Sequence, residues 1–172
     1  MNAYVELAKS AIGEYVRNGI IISIPENLSV EFYAKKYGVF VSLHKGSTLR
    51  GCIGTYLPQY ENLAEEIIQN AIAAATHDNR FSPISSDEIN DLKVEVSLLF
   101  RPEKINSLKD LDEKKYGVIV KCPDGRCGLL LPDLEGVENV EQQISIACQK
   151  AGINQSLEKN LEISRFEVKK YQ

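Results

Sequence analysis

Six residues, Leu49-Arg50-Gly51-Cys52-Ile53-Gly54, bring an arginine, a thiol and two glycines into a segment that otherwise reads as a buried β-strand. Each glycine weakens a strand interior unless a bulge or a close backbone approach needs the missing side chain. Cys52 offers nucleophilic chemistry. A thiol is only a few per cent thiolate at neutral pH, so it needs a nearby cation and a proton acceptor. Arg50, two residues along the same strand, could supply the charge; His44 or Asp78 could accept the proton. The plainer role for Cys52 is a small apolar filler, the commonest fate of a free cysteine. Arg50 must reach water, bind an anion or pair with an acid, for which Glu95, Asp78 and Glu65 are available. Gly51 and Gly54 admit either a flat ligand or a helix packed hard against the strand.

Thr76-His77-Asp78-Asn79-Arg80-Phe81-Ser82-Pro83 forms a second polar stretch. Asp78 and Arg80 are candidate ligand-binding groups, or else they close the loop while Phe81 anchors it in the core. Cys122 and Cys127 flank a turn, where they are either a redox-sensitive pair facing across the hairpin or two unrelated core thiols, and Cys148 sits on an apolar helical stripe. With four cysteines, no CxxC pair and two histidines, no zinc site is expected, and the thiols are read as free. No cofactor can be assigned.

The elements that position these groups follow from periodicity. Tyr4, Leu7, Ala8, Ala11, Ile12 and Tyr15 mark an amphipathic helix that Gly19 ends. Residues 20–31 read as a connection with one short extended piece. Gly38–His44 and the glycine-rich strand make a hairpin, and a three-residue loop at 46–48 pairs Lys45 with Leu49. That register sets His44 opposite Arg50 and Ser42 opposite Cys52, with Val39, Val41 and Leu43 on the buried face. Asn62 to Glu65 resembles a capping box opening an alanine-rich helix. Leu92–Leu98 alternates as a strand, with Lys93, Glu95 and Ser97 outward. Ser107–Lys115 reads as a short capped helix. A second hairpin turns at Pro123–Arg126, a further helix runs through Val140–Ala151, and Leu161–Val168 is the last strand. Helix, hairpin, helix and strand recur loosely in both halves. Without a βαβ rhythm the pattern is α+β with mainly antiparallel sheets, and the recurrence suggests two lobes.

With 172 residues, the chain has the size of one domain with two lobes. Its 44% hydrophobic and 26% charged content is that of a soluble globular protein. A net charge of −4, with basic residues scattered among acids, argues against nucleic acid or an anionic membrane as partner. No apolar run reaches the length of a membrane span, and the first residues do not resemble a secretory signal, so a cytoplasmic location is expected.

Leu49–Gly54 matches the signature of the AMMECR domain family, which the chain resembles over nearly its whole length. Further blocks are Gly38-Val-Phe-Val41, Asn70-Ala71, Ala73-Ala74, Asp78-x-Arg80-Phe81, Glu95-Val-Ser97, Gly128-Leu-Leu-Leu-Pro132 and Cys148-x-Lys-Ala-Gly152. The resemblance implies one domain over 1–172, built of two interlocked α/β subdomains, and a cleft lined by the signature. It also implies a link to Memo-like and radical SAM proteins in a modification pathway, but no reaction. Cys122 and Cys127 depart from the family pattern. Three functions stay open: a binding domain for a small molecule or partner segment through Arg50, Gly51, Gly54, Asp78 and Arg80; an enzyme using Cys52 with His44; or a non-catalytic interaction scaffold.

Overall fold

The computed structural model describes residues 2–172. These residues divide into two compact units, 2–99 with 169–172, and 100–168.

In the first unit, α1 (Ala3–Asn18) starts where the Asn2 side chain accepts the Tyr4 N–H, and stops at Gly19, whose φ of 70° lets its N–H return to the Tyr15 carbonyl. A short helix, α2 (Val30–Ala34), begins in the last two residues of the expected connection and runs past it; five residues are too few for a periodic signal. The hairpin is β1 (Gly38–Lys45) and β2 (Thr48–Thr55), and β3 (Leu92–Leu99) pairs antiparallel on the other side of β1. Between β2 and β3 lies α3 (Leu63–Thr76), whose Asn62 cap accepts the Glu65 N–H at 3.0 Å. Val39, Val41 and Leu43 of β1 are wholly buried with Leu7, Ala8 and Ile12 of α1 and Ile67 and Ala71 of α3. One face of these three strands is thus closed by helices, as their alternation requires.

Ser97 was expected to point to solvent, yet it is only 1% exposed. Alternation assigns a residue to a face of the sheet but does not say how far that face is covered: Ser97 shares with its partner Phe40 the face away from the helices, and it is buried there.

The second unit repeats the strand arrangement. Here β5 (Tyr116–Lys121) pairs antiparallel with β6 (Cys127–Leu130) on one side and β7 (Glu162–Tyr171) on the other, and α4 (Val140–Lys150) follows the hairpin. A two-residue strand, β4 (Glu103–Lys104), pairs with β7. Residues 169–171 at the end of β7 belong to the first unit, where Tyr171 meets Tyr4 at 4.5 Å between ring centroids. The helix expected over Ser107–Lys115 is a single 3-10 turn, Leu108–Asp110, closed by reciprocal bonds between Ser107 and Asp110. Its cap is present, but no apolar stripe follows to extend it. The fold is therefore α+β with antiparallel strands throughout. Among the described residues no helix is long and apolar enough to cross a membrane.

Candidate functional site

The hairpin register explains the signature. Ser42 lies opposite Cys52 and Leu43 opposite Gly51, as expected; beyond that point the pairing slips, and His44 faces Leu49 rather than Arg50. The turn has two residues instead of three, with Gly46 at φ 64°, so Lys45 pairs with Thr48 and Arg50 becomes the extra residue of a β-bulge. The slip moves His44 away from Cys52 and re-aims the arginine.

Arg50 is turned onto Glu88, outside the set of acids the sequence suggested. Its Nε donates to Oε1 at 3.0 Å and Nη2 to Oε2 at 3.1 Å, a two-pronged pair. Nη1 donates to the Ser82 carbonyl at 2.7 Å and Nη2 to that of Pro83 at 3.4 Å. The guanidinium therefore ties β2 to the loop after α3. Glu88 is held by a capping box, its Oε2 accepting the Ser85 N–H at 3.1 Å. Arg50 first, and then the Ser85 N–H, pull the Glu88 carboxyl down to about 2.

Asp78 and Arg80 grip the free edge of β2 at Cys52. Asp78 Oδ2 accepts the Cys52 N–H at 2.8 Å, and Arg80 Nη2 donates to the Cys52 carbonyl at 3.2 Å. The two side chains also pair with each other, Nη2 to Oδ2 at 2.7 Å and Nε to Oδ1 at 2.9 Å. They satisfy a donor and an acceptor that an edge strand would otherwise offer to another chain. The Arg80 guanidinium holds the buried Asp78 carboxyl well below the usual range, and the Cys52 N–H helps against the opposing effect of burial.

Both glycines serve packing. A Cβ at Gly51 would stand 2.3 Å from the Ala74 carbonyl oxygen, so α3 rests on bare backbone there. At Gly54 it would meet the Phe40 ring at 2.3 Å. Cys52, between them, is half-buried, and the Ser42 hydroxyl donates to its sulfur at 3.3 Å.

The loop leaving β2 carries a group that sequence reading missed. Glu66 of α3 is only 1% exposed and accepts the N–H groups of Gln59 at 2.8 Å and Tyr60 at 2.9 Å. The Thr55 hydroxyl and the Asn70 amide donate to its other oxygen. A buried carboxylate with this many donors fixes the loop backbone, while Tyr56, Leu57 and Tyr60 project at 38–42% exposure. Glu66 follows the capping-box Glu65 and reads as surface charge. Its only hint is that it falls on the apolar stripe with Leu63 and Asn70.

In the second unit Cys122, Asp124 and Glu158 offer ligand atoms within 4.8 Å of one another. Arg126 fills that space: it bonds both carboxylates and lies 3.8 Å from the Cys122 sulfur. The cluster is an ion-pair network around a guanidinium. Cys122 and Cys127 are both free thiols. The backbone N–H of Asp124 favours the Cys122 thiolate, but burial and the Asp124 and Glu158 carboxylates outweigh it and push the thiol up; burial alone does so for Cys148. Iodoacetamide at neutral pH is therefore expected to label Cys52 and Cys127 before Cys122 and Cys148, read by peptide mass mapping. Equal rates at Cys52 and Cys148 would contradict these environments.

Comparison with known proteins gives this arrangement a context. The chain is 51% identical over 169 residues to a protein of Thermotoga maritima, covering 98% of this chain and 96% of that one. It is 48% identical over 153 residues to a Clostridium acetobutylicum protein, covering 88% of this chain but only 32% of that longer one. The crystal structure of an uncharacterized Pyrococcus horikoshii protein superposes with a TM-score of 0.89 at 34% identity, covering 97% of this chain and 88% of that one. The AMMECR1 family model matches residues 5–171, and the chain belongs to that family.

Proposed function

We propose that this AMMECR1-family domain is a binding domain that recognises a segment of a partner protein, as an accessory within a cytoplasmic modification pathway shared with Memo-like and radical SAM proteins. The observation that carries this reading is the Thr55–Glu61 loop, whose backbone is fixed from beneath by Glu66 while Tyr56, Leu57 and Tyr60 face outward. Exposed aromatic and aliphatic groups on a pre-ordered backbone lose little freedom on binding, and tyrosine is a common anchor of interfaces. Arg50, Gly51, Gly54, Asp78 and Arg80 act here as positioning residues, because their polar atoms or open space are already engaged within the fold. Cys52 is engaged likewise, its N–H by Asp78, its carbonyl by Arg80 and its sulfur by the Ser42 hydroxyl. A longer relative, of which this chain matches about a third, supports a domain that works alongside other polypeptide.

The test is calorimetric titration of the domain with the Memo-like and radical SAM proteins of the same organism. Leu57→Ser and Tyr60→Ala are expected to weaken the interaction about tenfold or more, with Leu157→Ser in the second unit, also exposed, as an unaffected control. Wild-type protein that binds neither partner, or loop variants that bind equally well, would remove the proposal.

A further inference from the structure

Helix α1 has a glycine in its middle, a position where alanine would favour the helix. A Cβ at Gly13 would come 3.2 Å from Nη1 of Arg17, one turn further on, so the guanidinium folds back across bare backbone. Gly13 and Arg17 line a hollow of about 550 Å³ between α1 and the Ile89–Val94 segment, a volume suited to a small ligand. Ile12, Ile22 and Ile89 supply apolar wall, and Lys9, one turn before Gly13 on the same face, supplies a second cation.

Neither Lys9 nor Arg17 has an ion-pair or hydrogen-bond partner for its side chain among the described residues. Arg50, Arg80, Arg126 and Arg165, by contrast, each meet a carboxylate. Glu14, the acid on this wall, accepts the Asn18 amide at 2.7 Å. Lys9 also borders an adjoining hollow of about 590 Å³, into which His44 and Lys93 come from the sheet while Glu95 there is bonded by Gln172. In an acidic protein, the unpartnered Lys9 and Arg17 thus stand together on a partly apolar concavity.

We infer that this hollow binds a small organic anion, with its phosphate or carboxylate head on Arg17 and Lys9 and its apolar body on the isoleucines. A guanidinium free to form two parallel bonds fits such a head better than an ammonium alone. The site is separate from the Thr55–Glu61 loop, so each stands or falls independently.

Phenyl phosphate, phenylacetate and benzyl alcohol, titrated into ¹⁵N-labelled protein, test it. Both anions are expected to shift the amides of residues 9–17 and 89–94 and to saturate, the alcohol binding about tenfold more weakly. The tighter anion identifies the head group. Arg17→Gln is expected to weaken binding of that anion about tenfold. Gly13→Ala is expected to weaken it as well, by displacing the guanidinium, while the melting temperature does not fall. Anion and alcohol binding with equal affinity, shifts that map elsewhere, or both variants binding as wild type does would overturn the assignment.

Discussion

Gly51→Ala is expected to destabilise the first unit by about 3 kcal/mol, near the upper end for overpacking a core. The added methyl would meet the Ala74 carbonyl oxygen at 2.3 Å, and no rotamer change can move a backbone atom. Relief would require α3 to lift from the sheet, exposing Ile67 and Ala71, which are wholly buried. At 2–4 °C per kcal/mol for a chain of this size, the melting temperature should fall by about 6–12 °C. The same contact recurs in the second unit, where a Cβ at Gly128 of β6 would stand 1.9 Å from the Ala147 carbonyl oxygen of α4. Gly128→Ala should cost as much. Gly46→Ala is the control: its φ of 64° disfavours a side chain by about 1 kcal/mol, but nothing lies within 4 Å. Calorimetric scans of the three variants check the ranking, and a Gly51→Ala protein melting with the wild type would show that packing does not explain the glycine.

That repeated contact indicates what could be read from the chain alone. The helices were legible because α1, α3 and α4 each carry an apolar stripe, with Gly19 ending α1 and Asn62 opening α3. The hairpin and most of its register were legible because Val39, Val41 and Leu43 had to share one buried face. The bulge at Arg50 was not, since inserting one residue near a turn changes no periodicity over the few residues that remain. Glu88 escaped as Arg50's partner for a related reason. It is 38 residues away, and its local signature, Ser85 three positions before it, points only to a helix start. Glu66 escaped because a carboxylate on an apolar stripe is usually a surface residue at the margin of that stripe. Long-range polar pairs depend on how loops return, and hydrophobic patterning does not encode that.

The Arg50–Glu88 pair should therefore dominate the acid response of the hairpin. Arg50→Ala leaves Glu88 with its capping contacts but without the guanidinium, and leaves the Ser82 and Pro83 carbonyls without a donor. Loss of one partner from a fully buried pair costs 3–5 kcal/mol; these side chains keep 16% and 19% exposure, so about 2–3 kcal/mol is expected. Its pH dependence separates this from a general packing defect. Glu88 has a folded-state pKa of about 2 against an ordinary 4.5, so unfolding takes up a proton in acid. The pair's contribution is complete above pH 4.5 and disappears as pH falls from there toward 2. The difference between wild type and Arg50→Ala should shrink over that interval, because a protonated Glu88 no longer rewards the arginine. Asp78 cannot produce the same signal, since both proteins retain its pair with Arg80. Arg50→Met with Glu88→Leu should recover much of the loss at neutral pH by removing both charges together. Urea midpoints from pH 7 to pH 2.5 measure all three proteins, and a wild-type–Arg50→Ala gap that stays constant across that range would mean the guanidinium stabilises the fold by packing instead.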